Sequence, residues 1–392
     1  MKILFVSNTY KLFSSLNTGA SNRSTMFIKA LSNIADVDVI AFSGEETSNI
    51  EHCRVIYSNY VEPAKMIKSK GRLGKFAELF GTSIYDIYPY SEEKSKIVDT
   101  FIKDGGYDYI ACRYIYEAAE CGLLKYSSNL IVDLDDNPAK FYLALMNLDK
   151  MTFRNRIYHK LYAYKIERIV KKTIDKIFCV FYSNPFEAPS SKSIFLHNVA
   201  IQEENSLPIS EATPKNILMV GTLNYFPNAE GVTHFVDVIL PMIIKEEPYA
   251  EFYLAGKSQC IELENYLSTK NHVHILGFVE DLARTYCDCR VAIVPMYSGS
   301  GTSIKTIEAM TMHRPIVATP SGARGYSEKL ISGEDYILAN NDVEFAQGII
   351  NLIRDIAKGN MMADNAYNKY LKYWSQEKFI DIVKNSIDRK DD

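Results

Sequence analysis

Residues 291–326 read VAIVPMYSGSGTSIKTIEAMTMHRPIVATPSGARGY. The run Val291–Val294 is short and apolar, as a buried strand is. A Gly/Ser loop follows, Ser298-Gly299-Ser300-Gly301-Thr302. Residues 303–312 have helical spacing, with Ile304, Ile307 and Met310 on one side. Residues 315–318 form a second buried strand, and residues 321–325 a second glycine loop. Strand, loop, helix and strand in this order make the unit of a parallel α/β sheet. Small residues at the start of the helix let backbone N–H groups approach an anion. The first helical turn leaves its N–H groups unpaired at the positive end of the dipole. Physically this is a phosphate site. Lys305 lies in that first turn, where a cation opposes the dipole and makes sense if an anion shares the site. Glu308 stands beside it at i,i+3. The alternative is an ordinary α/β unit whose glycine loop is only a turn.

The segment GSGTSIKTIEAMTMHRPIVAT, residues 299–319, resembles the donor-binding segment of the retaining GT-B glycosyltransferases of family 4. In that family the second of two glutamates eight positions apart binds the ribose of the nucleotide sugar. Glu308 matches it and is followed by the expected Ala309-Met310, whereas Ser300 stands where the first glutamate usually does. The resemblance implies catalytic roles for Lys305 and Glu308, and donor contacts from Ser300, Gly301 and Thr302. The implied fold class is α/β of GT-B type: two Rossmann-like domains with parallel sheets facing a central cleft, and a C-terminal helix crossing back to the N-domain.

The chain has 392 residues, enough for two or three domains, and 47% hydrophobic with 23% charged residues is ordinary for a globular protein. A net charge of −4 gives no global attraction to nucleic acid. Seven cysteines form no CxxC pair, which suggests reduced thiols and a cytoplasmic chain. No stretch reaches the roughly 18 apolar residues of a transmembrane helix.

In the N-terminal half, residues 2–7 and 37–42 read as strands around a helical pattern at 23–31. GxGxxG is missing and no acidic residue ends the second strand, which argues against a dinucleotide-binding domain. The resemblance makes Gly19 the glycine expected in the first loop; it also reads as a plain loop residue. Arg113 follows one later strand, and Asp135 and Asp136 follow the next, so all three are candidates for an acceptor cleft. The aspartates read equally as helix caps. Residues 65–75 carry five basic residues and no acid. Residues 150–176 read as one helix with nine basic residues, and its stripe of Phe153, Ile157, Leu161 and Tyr164 is expected to face the core. Either basic segment could meet an anionic membrane surface or simply be solvated.

Residues 202–215 are polar with two prolines and read as the linker. The expected domains are therefore 1–201, 202–365 and a returning helix from 366 to 392. The loop Gly221-Thr222-Leu223-Asn224-Tyr225-Phe226-Pro227-Asn228 resembles the family's first donor loop, with Thr222 where arginine is common. That leaves Lys305, backbone N–H groups and helix dipoles to meet phosphate charge. Residues 274–281 resemble the loop that touches the nucleobase, which points to Phe278 and Val279. His272 and His274 alternate on a strand without an evident third ligand, so no metal site is expected.

The resemblance implies a retaining, metal-independent, hexosyltransferase-like enzyme without a cofactor. Such an enzyme would move a sugar from a UDP- or GDP-linked donor to a glycan or lipid-linked acceptor, in bacterial surface polysaccharide synthesis; the cysteines and the basic segments point to the cytoplasm or to the inner face of the membrane, peripherally. The alternatives are a nucleotide-sugar 2-epimerase of the same fold and a non-catalytic degenerate transferase that binds glycan or a partner enzyme.

Overall fold

Apolar residues run without alternation through β1 (Lys2–Ser7), β4 (Tyr109–Arg113), β5 (Leu130–Asp133) and β6 (Cys179–Tyr182), and nearly every one is buried. Strands covered on both faces by helices have this pattern. In the computed structural model they pair in parallel with β2 (Asp36–Ala41), β3 (Cys53–Ser58) and β7 (Ile194–Phe195), in the order β3-β2-β1-β4-β5-β6-β7. The structure describes all residues except 9–10, 14–18, 67–77, 136, 146–151, 187, 201–207, 300–301 and 389–392; residues 20, 78, 140, 141, 144 and 145 are described by backbone alone. The basic segment at 65–75 thus lies almost wholly outside the described residues.

A second parallel sheet has the order β10-β9-β8-β11-β12-β13, from β8 (Asn216–Val220), β9 (Glu251–Ala255), β10 (Val273–Gly277), β11 (Val291–Val294), β12 (Ile316–Ala318) and β13 (Ile337–Leu338). Both faces of this sheet are core. Ile217, Met219 and Ile293 pack on one side, while Leu218, Ala292 and Val294 pack on the other. The chain divides into two compact units, Met1–His197 with Gln376–Asp392, and Asn198–Ser375. This is the α/β architecture of two Rossmann-like halves that the motifs imply. In each sheet the order reverses beside the first strand, between β1 and β4 and between β8 and β11. Open α/β sheets bind ligands beyond the carboxyl ends of the strands at such a switch point.

Two sequence-based expectations are corrected. The stripe of Phe153, Ile157, Leu161 and Tyr164 does not face the core: all four side chains are exposed. The helix spans Phe153–Ile174, and its buried face is a different one, built from Ala163, Ile166, Ile169, Val170 and Ile174. Apolar residues lie on two sides of this helix, and the core takes the one nearer its C-terminus. The helical run at 366–387 is two helices, Ile356–Tyr373 and Gln376–Asp388. The chain breaks at Trp374, which is buried edge-on against Tyr326, 5.3 Å between ring centroids. The last helix belongs to the first unit, where Lys29 Nζ donates to Gln376 Oε1 at 3.0 Å and Phe379 packs edge-on against His197.

Candidate donor site and the charge cluster of the first unit

Two loops meet beyond the carboxyl ends of β8 and β11. A Cβ on Gly221 would lie 2.7 Å from Lys305 Cε and 2.8 Å from Asn228 Nδ2. The missing side chain is what lets Lys305, from the first turn of the helix Ile304–Thr311, lie across the loop after β8. Gly256 (φ +150°) closes the other side, where a Cβ would meet Gly221 O at 2.3 Å. Asn228 Nδ2 donates to Thr222 O at 2.8 Å and ties the start of the helix Phe226–His234 to the same loop. Asn198 Nδ2 donates to Thr302 Oγ1 at 2.6 Å, and Thr306 Oγ1 to Gly322 O at 3.0 Å. Arg324 Nη2 donates to Gly299 O at 2.8 Å, so that guanidinium braces the glycine loop. The second glycine loop presses on the first: a Cβ on Gly325 (φ +90°) would lie 2.1 Å from Thr302 Cγ2.

Lys305 and Glu308 keep part of their surface, and no hydrogen bond or ion pair links either side chain to another described residue. Burial pushes the Lys305 amine down to about 8, partly offset by the Glu308 charge. Burial pushes the Glu308 carboxyl up to about 7, partly offset by Lys305. Among the described residues, Ser303 Oγ, at the N-cap position of the same helix, and Asn228 Oδ1 are buried without a hydrogen-bond partner. Buried polar atoms are ordinarily hydrogen-bonded, and perturbed titrating groups cluster at functional sites. A lysine amine, a carboxylate and an orphaned hydroxyl at a helix N-terminus together form a place for a ligand bearing both anion and hydroxyl groups.

The other sequence-derived candidates are spread more widely. Ser300 and Gly301 lie outside the described residues. Phe278 and Val279 line a pocket of about 590 Å³ with Tyr253, Leu276 and Arg284, and none of Gly221, Lys305 or Glu308 lines it. Lys257 Nζ stands 5.7 Å from the Phe278 ring centroid. Gly19 is the first residue of the helix Gly19–Ser32, in the first unit. His272 Nδ1 and His274 Nε2 each bond Glu251, at 3.0 and 2.8 Å, a structural use for the pair.

In the first unit, Arg113 ends β4 and Asp133 ends β5. Arg23 grips Asp133 with two parallel bonds of 2.8 and 2.9 Å and also donates to His197 O and Leu196 O. Arg113 Nε lies 3.1 Å from Asp133 Oδ2, and Arg113 Nη2 donates to Asp135 Oδ2 at 2.5 Å. Burial works against the charge on Asp135, but Arg113 and Arg23 hold its carboxyl below the usual range, so it stays ionised. Asp135 (φ +62°) and Tyr114 (φ +59°), whose ring lies under the Arg113 guanidinium, both adopt the left-handed backbone that non-glycine residues avoid. Asp135 keeps 22% of its side-chain surface, whereas Arg113 keeps 1%, so the aspartate is the member presented outward. Asp136 lies outside the described residues.

Sequence reasoning missed Arg23, Ser303 and the role of Asn228. Arg23 had a readable signal: it precedes Phe27 by one helical turn on a buried face, where a charge needs a partner. Asn228 ends the loop that resembles the first donor loop, but nothing local shows that it folds back onto Thr222.

Comparison with known proteins bears on the fold and on residues 214–355. Residues 214–355 match the family described as Glycosyl transferases group 1. A Klebsiella pneumoniae protein described as an uncharacterized 44.6 kDa protein in the cps region is 25% identical over 90% of this chain and 91% of its own length. Among solved structures, sucrose-phosphate synthase from Thermosynechococcus elongatus superposes with a TM-score of 0.68 at 15% identity, covering 99% of this chain and 98% of the other. Anabaena HepE in complex with UDP-glucose superposes with a TM-score of 0.61 at 14% identity, covering 99% and 100%. The chain thus has the GT-B glycosyltransferase fold, and residues 214–355 of its second unit match Glycosyl transferases group 1.

Proposed function

We propose that the chain is a retaining, metal-independent transferase that moves a sugar from a UDP- or GDP-linked donor to a glycan or lipid-linked acceptor in bacterial surface polysaccharide synthesis. The observation that carries this reading is the Lys305 side chain laid against Gly221, with Ser303 Oγ unpartnered among the described residues at the start of the same helix and Glu308 one turn on. Lys305 and the N–H groups at the start of its helix meet the charge that grows on the departing diphosphate. Glu308 accepts hydrogen bonds from the ribose hydroxyls. In the first unit, the ionised Asp135 offers an acceptor for a hydroxyl of the incoming substrate. The Anabaena structure with UDP-glucose supports a nucleotide-sugar donor, and the Klebsiella relative from a cps region supports the polysaccharide setting. Among the described residues no helix is long and apolar enough to cross a membrane.

A panel of UDP- and GDP-sugars, read by thermal stabilisation, tests the donor assignment, since ligand at about 100 times its dissociation constant adds about 2.7 kcal/mol. Transfer to added glycan or lipid-linked sugar in the presence of EDTA is the expected outcome for the donor that stabilises. Formation of a second UDP-sugar with no acceptor would instead identify a 2-epimerase. Stabilisation with no turnover on any acceptor would identify a binding protein.

A further inference from the structure

The helix Phe153–Ile174 carries two apolar faces, and only one is used by the fold. Ala163, Ile166, Ile169, Val170 and Ile174 are buried and fix the rotation of the helix about its axis. On the opposite side, Phe153, Ile157, Leu161 and Tyr164 are 76%, 45%, 50% and 68% exposed. Their spacing of four, four and three keeps them in one line along the surface. The same line continues as Arg168 and Lys171, and Arg154, Arg156, Lys160 and Lys172 flank it; all six basic residues are exposed. Glu167 is the only acid in the helix.

We propose that this face is a docking surface for an anionic lipid bilayer, with the four apolar side chains entering the headgroup boundary and the basic residues meeting lipid phosphate. A row of large apolar side chains bordered by lysine and arginine is the pattern of helices that lie in the plane of a membrane interface. The long basic side chains can bury their methylene stems beside the apolar row while their charges reach phosphate. Charge decides among occupants. A second copy of the chain would set six basic residues against six more, which is repulsive. An anionic bilayer attracts every one of them. The helix has 22 residues, and its charge content suits it to lie on the surface and not to span. The proposal stands apart from the donor assignment, because lipid binding requires no nucleotide.

Co-sedimentation of the full chain with phosphatidylcholine vesicles, with and without phosphatidylglycerol, tests it. Binding should require the anionic lipid and fade at high salt. Ile157→Asp with Leu161→Asp should weaken it at least about tenfold, and Arg168→Glu with Lys171→Glu should do likewise. All four positions are exposed, so thermal midpoints and UDP binding should match the wild type and separate lost docking from lost folding. Equal binding to neutral and anionic vesicles, no binding to either, or vesicle binding unaltered in both double variants would overturn the proposal. A salt-stable dimer dissolved by Leu161→Asp, without vesicle binding, would assign the face to self-association instead.

Discussion

Beyond β4 and β5 in the first unit, two arginines face two aspartates; beyond β8 and β11 in the second, one lysine stands near one glutamate. The positions within the two sheets are related, but the electrostatics are opposite. Arg23, Arg113, Asp133 and Asp135 bond one another, and the Asp135 carboxyl is held down as an ionised group. The Lys305 and Glu308 side chains bond no other described residue, and burial moves both toward neutrality, to about 8 and about 7. Buried charges that answer one another, as Arg23, Arg113 and Asp133 do, hold the scaffold and keep the outward-facing Asp135 ionised. A buried charge left unanswered marks where a ligand completes the structure. Around the charge cluster the left-handed residues are Tyr114 and Asp135, while beside Lys305 glycines at 221, 256 and 325 clear space.

The largest effect should come from breaking the closed network. Asp133→Ala leaves two buried arginines with one carboxylate between them. Removing one partner of a buried ionic group costs about 3–5 kcal/mol. Chemical denaturation should show that loss, and a change under about 1 kcal/mol would mean that the network is not scaffold.

Lys305→Met should do the reverse and leave the fold intact. UDP binding should fall by about 1.5–3 kcal/mol, the range for a charge-assisted hydrogen bond. Binding of uridine should hold. Calorimetric titration with both ligands checks it, and parallel losses for nucleotide and nucleoside would remove Lys305 from the diphosphate.

Glu308 gives a milder, pH-resolved effect. Protonated Lys305 binds diphosphate, so UDP affinity of the wild type should decline as pH rises through about 8, with proton uptake on binding at that pH. The Glu308 charge raises the Lys305 pKa, so Glu308→Gln should move that decline to lower pH. It should also raise the donor KM about tenfold through the lost ribose bonds. An unshifted pH profile in Glu308→Gln would uncouple the two residues.

The smallest effect is expected from Gly221→Ala. Its Cβ meets the flexible Lys305 Cε and the Asn228 amide, both of which can shift. Unfolding free energy should fall by on the order of 1 kcal/mol, with a few-fold loss of UDP affinity. Full UDP affinity would show that Lys305 need not lie where this structure has it.

What the sequence determined on its own was the repeating α/β unit and the glycine loop with Lys305 and Glu308 at the helix that follows. Both are local: apolar runs of strand length, a glycine loop and a helix start lie within a few dozen residues, as in 291–326, and Lys305 and Glu308 share a helical turn. Tertiary structure alone decided which residues from distant segments answer one another. Arg23 meets Asp133 across 110 positions, and Gly221 meets Lys305 across two loops. Tertiary structure also chose between the two apolar faces of the helix Phe153–Ile174. Helical periodicity names both faces equally, and only packing against the rest of the unit buries one and leaves Phe153, Ile157, Leu161 and Tyr164 to solvent. The break between residues 373 and 376 carries a local signal, Ser375 before the next helix, and there Trp374 is buried edge-on against Tyr326.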